Sequence, residues 1–239
     1  MDASARSELH SLAVRRPIIA IDGPAGAGKS TVAQHLARHY GLLNLETGAM
    51  YRAFALKALR AGANVEDVSA LMHLAAQTAI LLKPEEQGNR VLLDGEDVTA
   101  SLRAAEVTDG ASRVSVHQPI RAWMVSLQQA LGAAGGVVME GRDIGTVVFP
   151  HADVKIFLDA SPEVRGLRRY DQMGQGGVTE RPPDEISKEL RARDERDRNR
   201  VNSPLRPASD AVILDSTYLT LEEVLEHAEA IVDERLQTR

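Results

Sequence analysis

Five short apolar runs punctuate the chain, and stretches with helical spacing separate them. The runs lie at residues 18–22, 42–45, 136–140, 154–159 and 211–215. Continuous apolar runs of about four to eight residues are typical of strands that are buried on both faces of a parallel sheet. The pattern therefore predicts an α/β fold with a five-stranded parallel sheet flanked by helices, in which residues 18–22 form the first, central strand.

Helical spacing is clearest after the first and the second apolar run. Apolar residues recur at helical intervals from Lys29 to Tyr40, and Gly41 stands where such a helix is expected to end. A second helix is predicted from Ala49 to Arg60, with Thr47 as the residue that caps its N-terminus.

Two segments interrupt the alternation of strands and helices. Residues 79–83 and 90–94 flank a polar turn, which predicts a hairpin inside an inserted subdomain. Repeated Gly and paired Pro at residues 173–183 predict a break in the preceding helix and a mobile lid. The expected organisation is a disordered leader at 1–16, a core at 17–62, 118–172 and 184–239, an inserted nucleotide-binding subdomain at 63–117, and a lid at 173–183.

Composition narrows the classes of protein that the chain can represent. No apolar run approaches the roughly 20 residues that a membrane helix needs, so no membrane partner is expected. The net charge of -6 argues against a general nucleic-acid binder, because such proteins carry an excess of Lys and Arg. The 239 residues include no cysteine, and the first 16 lack the apolar stretch of a signal peptide, which together predict a cytoplasmic protein.

A glycine-rich loop is expected between the first strand and the first helix. Its sequence, Gly23, Pro24, Ala25, Gly26, Ala27, Gly28, Lys29 and Ser30, matches the phosphate-loop pattern G-x-x-x-x-G-K-[ST]. Backbone amides and a helix N-terminus in this place bind phosphate. Lys29 is predicted to reach the β- and γ-phosphates of ATP, Ser30 to ligate Mg²⁺, and Thr31 to add a phosphate hydrogen bond. A chance match is the alternative, and the flanking strand and helix argue against it.

Two arginines predict that a second anion binds in the same cleft. Arg52 lies about one turn into the second helix, and Arg142 follows the third apolar run within Glu140-Gly141-Arg142-Asp143. A guanidinium group binds phosphate oxygens in pairs, which an ammonium group cannot do. An exposed helix arginine is the alternative for Arg52. An Asn-Lys-x-Asp motif is absent, so a typical GTPase is not expected.

A further charged stretch, residues 189–200, predicts a helix with very little apolar surface. At spacings of three and four, Arg193, Arg196, Asp197 and Arg200 share one face and concentrate positive charge around a single carboxylate. Such a face suits a transferred phosphate and a ribose hydroxyl, because charge stabilisation and positioning carry most of the catalysis of phosphoryl transfer. A solvated helix of ion pairs is the alternative.

Four motifs together resemble the bacterial cytidylate kinase family, and the likeness runs from about residue 17 to the C-terminus. They are Gly23 to Thr31, Thr47 to Arg52 (T-G-A-M-Y-R), Glu140 to Pro150 (E-G-R-D-I-G-T-V-V-F-P), and Arg193 to Arg200. The resemblance implies a P-loop nucleoside-monophosphate-kinase fold with an inserted NMP-binding subdomain and a short lid. It also implies transfer of the γ-phosphate of ATP to CMP and dCMP, with Mg²⁺ as cofactor, in a cytoplasmic monomer.

The resemblance further implies roles for individual residues. Arg52, Arg142 and Arg200 would hold the CMP phosphate, with Thr47 beside them, and Asp197 would hold the pentose. Ser112, Arg121 and Asp143 would read the cytosine. Lys29, Arg142, Arg193, Arg196 and Arg200 would form the catalytic group, with Arg193 and Arg196 on the lid side of the transferred phosphoryl group. Glu46 and Glu140 depart from the family pattern, which more often has Asp at both positions.

Two alternative functions stay open on the sequence. One is a P-loop kinase for another small acceptor, such as UMP, shikimate or a sugar acid. The other is a regulator that binds ATP as a switch. The large insertion and the arginines favour a nucleotide acceptor, and a switch has no need of a second set of phosphate-binding arginines.

Overall fold

The computed structural model describes residues 16–85, 88–175 and 182–238. Apart from Arg16, the predicted leader lies outside the described residues, as do residues 176–181 of the predicted lid. Among the described helices, none is both long enough and apolar enough to cross a membrane.

Five parallel strands form the central sheet, as the apolar runs predict. They are β1 (Ile18–Asp22), β2 (Leu43–Glu46), β6 (Val137–Gly141), β7 (Val154–Asp159) and β8 (Val212–Asp215), in the order β2-β6-β1-β7-β8. The first strand is central, because it pairs with β6 on one side and with β7 on the other. The carboxyl ends of all five strands lie at one edge, where α/β proteins bind their ligands.

Helices cover both faces of the sheet and explain why residues 18–21 of the central strand are continuously apolar. On one face, Ile19 and Ile21 belong to the core beneath α1 (Lys29–His39) and α8 (Leu221–Gln237). On the other face, Ile18 and Ala20 pack in the core with residues of α2 (Thr47–Arg60) and α5 (Gln118–Gly132). Each residue of β1 is therefore buried, whichever face it points to.

The segment between α2 and α5 forms a small second sheet and two helices. It contains α3 (Val68–Ala75), the antiparallel strands β3 (Ile80–Glu85), β4 (Gly88–Leu93) and β5 (Glu96–Asp97), and α4 (Ala105–Val114). The predicted hairpin is confirmed, with Ile80 paired to Leu93 and Glu85 paired to Gly88. Leu71, Val91 and Leu102 belong to the same apolar core as α2, so this segment packs directly onto the sheet domain.

Three helix boundaries differ from the sequence prediction. Thr47 begins α2 and does not cap it, because its hydroxyl donates to the carbonyl of Glu140 at 2.7 Å. The helix α6 (Pro162–Gln175) continues three residues into the predicted lid, since one Gly within a helix costs only about 1 kcal/mol. The third boundary is the end of α7 (Pro183–Arg198), because the sequence predicted a helix as far as Arg200 and the helix ends two residues earlier.

The chain leaves α7 because a tertiary contact replaces the next helical hydrogen bond. The backbone carbonyl of Asp197 accepts from the backbone amide of Leu205 at 2.8 Å, and the Leu205 side chain is buried. Arg200 therefore lies in the turn that follows the helix and does not extend the helical face that its spacing predicted. The start of α7 agrees with the prediction, since Pro182 precedes it and Pro183 is its first residue.

Candidate active site

The glycine-rich loop lies at the carboxyl end of β1, between the strand and α1. A Cβ atom at Gly23 would lie 2.0 Å from the carbonyl oxygen of Leu158, so only glycine fits there. Gly28, directly before α1, has a φ of 97°, a conformation that side chains disfavour. The loop thus places backbone amides and the N-terminus of α1 around one point at the sheet edge, which suits a phosphate group.

Lys29 is buried at the start of α1, and its Nζ donates to the carbonyl of Pro24 at 2.7 Å. Burial lowers the pKa of Lys29 to about 7, and the charge of Arg142 adds to this lowering, while Glu140 opposes it. The oxygens of a bound phosphate would bring negative charge close to Lys29 and so favour its charged ammonium form. The residue is therefore placed and poised to bind an anion.

Ser30 lies next to a carboxylate that the sequence prediction did not assign to the metal. Its Oγ donates to Oε1 of Glu140 at 2.5 Å. Burial raises the pKa of Glu140 and Glu46 adds to that rise, whereas Lys29, Ser30 and Arg142 oppose it. A hydroxyl and a carboxylate oxygen side by side are the ligand types that hard divalent cations prefer. The available signal was an acidic residue at the end of the third predicted strand.

The start of α2 forms another wall of the cleft. Arg52 forms an ion pair with Glu46, and its side chain is 22% exposed, so it is largely buried. The positive charge of Arg52 also acts on Arg193 and helps to lower the pKa of Arg193. Thr47 joins this wall to β6 through its hydrogen bond to Glu140. Arg52 is therefore part of a cluster and not an isolated surface arginine.

Asp197 is the buried carboxylate at the centre of the arginine cluster. Arg142 Nε donates to its Oδ2 at 3.0 Å, and Arg200 Nη1 lies 3.5 Å from its Oδ1. Burial raises the pKa of Asp197, but Arg142, Arg200 and Arg193 outweigh burial and hold that pKa below its ordinary value. The carboxylate therefore stays ionised at neutral pH and fixes two guanidinium groups that lie on different segments of the chain.

The two lid-side arginines differ in their surroundings. Burial lowers the pKa of Arg193 to about 10, with Arg142 adding to the effect and Asp197 opposing it. The Nε of Arg193 is buried and has no hydrogen-bond partner in the described part of the chain. Arg196, in contrast, is 40% exposed and lies 3.6 Å from Asp109. The structure thus brings Arg193 into the cluster and places Arg196 at its exposed edge, where the charge of Arg196 also helps to lower the pKa of Arg193.

The three predicted base-reading residues are all buried. Arg121 pairs with Asp143 and donates to the carbonyl of Ser115 at 3.2 Å, with its guanidinium 5.7 Å from the ring centre of Tyr51. The hydroxyl of Ser112 is buried, and no residue within the described ranges hydrogen-bonds to it. Buried polar atoms are normally satisfied, so an orphaned hydroxyl is consistent with a ligand contact.

Asp22 and Tyr51 are two residues of the site that sequence reasoning missed. Asp22 accepts from the backbone amides of Ile144 and Gly145, each at 2.8 Å, and so holds the loop that carries Arg142 and Asp143. Burial raises the pKa of Asp22 to about 6, although both amides oppose the rise. Burial likewise raises the pKa of Tyr51 to about 12. An acidic residue that ends an apolar strand was the available signal for Asp22.

Comparison with known proteins gives a consistent result. A family model described as cytidylate kinase matches residues 19–234. A cytidylate kinase of Geobacter sp. (strain M21) is 47% identical over 219 residues, which are 92% of this chain and 94% of the relative. A cytidylate kinase of Geobacillus kaustophilus (strain HTA426) is 47% identical over 224 residues, 93% of this chain and 99% of the relative.

Proposed function

The chain belongs to the cytidylate kinase family and phosphorylates CMP with ATP, and we propose which of its residues perform each part of this transfer. The observation that carries the proposal is the position of Asp197. Its carboxylate pairs with Arg142 and Arg200. The charges of Arg142 and Asp197 also act on Arg193, and those of Arg142 and Arg193 act on Lys29. One cleft therefore contains a phosphate loop and a second cationic site, as transfer between two anions requires.

The phosphate loop is the proposed ATP site. The backbone N–H groups of residues 25–31 surround the phosphates, and Lys29 turns from the Pro24 carbonyl toward the β- and γ-phosphates. Ser30 and Glu140 would hold the divalent cation, which we propose to be Mg²⁺, because their two oxygens already lie side by side. When bound, Mg²⁺ neutralises charge on the phosphate oxygens.

The arginine cluster is the proposed CMP site. Arg52, Arg142 and Arg200 bind the acceptor phosphate, and Arg193 faces the transferred phosphoryl group. Asp197 accepts a hydrogen bond from the pentose with the lone pairs that Arg142 and Arg200 leave free. The cytosine lies against the buried residues Ser112, Arg121 and Asp143. A general base is not needed, because the acceptor phosphate is already an anionic nucleophile at neutral pH.

The proposal also covers dCMP and the assembly state. One pentose hydroxyl remains in dCMP as a donor to Asp197, so we expect dCMP to be a second acceptor. The monomeric state that the family resemblance implies stays a prediction. Cytoplasmic location stays a prediction from the sequence.

The acceptor is tested by an ADP-release assay with a panel of CMP, dCMP, UMP and AMP. We expect CMP to give the highest kcat/KM, with dCMP the next best acceptor. ATP hydrolysis without any acceptor should be slow. ADP release that does not depend on the added nucleotide would instead indicate a regulatory ATPase and contradict the proposal.

Replacing Asp197 by Asn tests the proposed pentose site. Because the charge that fixes Arg142 and Arg200 is lost while the shape is kept, we expect the KM for CMP to rise at least about 10-fold. The KM for ATP should change by less than about 2-fold. Glu195→Gln, an exposed change on the same helix, is the matched control and should leave both values unchanged. An equal rise in the KM values for CMP and ATP would show that Asp197 does not hold the pentose of CMP.

A further inference from the structure

A cluster of metal-ligating side chains lies at the opposite end of α1 from the phosphate loop. It consists of His35 and His39, one turn apart on α1, and Glu229 on α8. His35 Nε2 lies 2.5 Å from Glu229 Oε1, and His39 Nδ1 lies 3.1 Å from the same oxygen. The kinase reaction uses none of these three residues.

We propose that His35, His39 and Glu229 form a binding site for a divalent transition-metal ion of the zinc class. The three ligand atoms all lie within 4.8 Å of one another. In a tetrahedral zinc site with bonds of about 2.0 to 2.2 Å, ligand atoms lie about 3.3 Å apart, so modest side-chain rotations create the site. The set of two imidazoles and one carboxylate leaves a fourth position for water.

The nitrogen ligands determine the class of metal. Imidazole binds Zn²⁺, Cu²⁺ and Ni²⁺ well, whereas Mg²⁺ and Ca²⁺ prefer sites made of oxygen ligands. The site is therefore expected to select against the cation of the phosphate loop. The two sites are also separate in space, because the helix rises roughly 14 Å between Ser30 and His39.

The surroundings favour a cation and hold the ligands in place. His39 is the last residue of α1, where the carbonyl end of the helix dipole attracts positive charge. Tyr40 packs on the His39 ring with centroids 4.7 Å apart, and its hydroxyl donates to Asp233 Oδ1 at 2.7 Å. That hydrogen bond joins α1 to α8 next to the cluster. All three ligands are partly accessible to solvent, with side-chain exposures of 28% to 47%, so an ion can reach them.

Metal binding at this site would join the phosphate-loop helix to the C-terminal helix. His35 and Glu229 are 194 positions apart, so the ion would connect two distant parts of the chain. Because such a site exists only in the folded protein, binding adds to the free energy of unfolding. The expected consequence is a kinase whose stability depends on the concentration of free zinc.

The test is titration of the full chain with ZnCl₂ at pH 8, with saturating Mg-ADP present to occupy the active site. Wild-type protein should bind one Zn²⁺ at this cluster. At free zinc about 100-fold above Kd, Tm should rise by about 5 to 10 °C. Mg²⁺ added in place of zinc should give no comparable increase. His227→Gln, an exposed histidine change on α8, is the matched control and should behave as wild type.

Two independent variants address the ligands. His35→Gln with His39→Gln should weaken zinc binding at least about 100-fold, and Glu229→Gln at least about 10-fold, with correspondingly smaller increases in Tm. Both variants should keep CMP kinase activity, which verifies that they fold. Zinc binding by the double variant equal to that of wild type would overturn the proposal. So would a wild-type titration without saturable binding, since the cluster would then be only a hydrogen-bonded contact between helices.

Discussion

Replacing Lys29 by Met is expected to lower kcat about 1000-fold with CMP as acceptor. The Lys29 ammonium is the proposed group that stabilises charge on the phosphates during transfer, and Met keeps a similar length without the charge. The fold should survive, because burial already disfavours the charged form of Lys29 and its side chain donates to the Pro24 carbonyl within the same loop. Removing such a buried charge should leave Tm unchanged or slightly raise it.

Steady-state kinetics and thermal denaturation together check this prediction. Lys83→Met is the matched control, since Lys83 is an exposed residue of β3, and it should leave kcat within about 2-fold of wild type. A nearly normal kcat of the Lys29→Met enzyme would show that Lys29 is not a catalytic residue. A large fall in Tm would instead show that the lysine serves mainly to hold the loop together.

Exchanging Arg142 for Lys is expected to lower kcat/KM for CMP about 100-fold, although the charge is preserved. In the structure the guanidinium donates through Nε to Asp197 and through Nη1 to the carbonyl of Gly141. A phosphate can still be bound by the remaining donors of the planar group. A single ammonium cannot satisfy Asp197 and a phosphate with the same geometry, so it must give up one of these contacts.

Arg113→Lys is the matched control for Arg142→Lys. Arg113 also makes an ion pair, with Glu66 at 2.8 Å, but it lies exposed on α4. Its replacement should change kcat/KM by less than about 2-fold, because exposed ion pairs contribute little. If both variants keep wild-type kinetics, paired guanidinium contacts are unnecessary for binding CMP.

The inner strands β1, β6 and β7 could be predicted from the sequence because nearly all of their residues are buried, whereas the edge strands β2 and β8 each bury one residue. Ile19 and Ile21 meet one set of helices, and Ile18 and Ala20 meet the other, so no polar residue interrupts the run. Local helix ends were harder to predict. Thr47 donates across to Glu140, and Asp197 accepts from Leu205, and neither partner is adjacent in the sequence.

The candidate site could be predicted only where its residues are neighbours in the sequence. The phosphate loop is one continuous segment, so its pattern alone places Lys29 and Ser30 at a helix start. Glu140 as a partner of Ser30 depends on β6 lying beside β1, which residue spacing does not reveal. The helical spacing of Arg193, Arg196 and Asp197 was correct, yet spacing could not show that Arg196 turns toward Asp109.

The sequence by itself determined the order of the core strands along the chain, the phosphate loop and the residue types that bind anions. It could do so because hydrophobic spacing and short motifs act over a few neighbouring residues. Only the tertiary structure decided which charges share a site. Asp197 meets Arg142 across 55 positions, and His35 meets Glu229 across 194. Such pairs form when packed helices and strands bring distant segments within a few ångströms, and no local pattern specifies that distance.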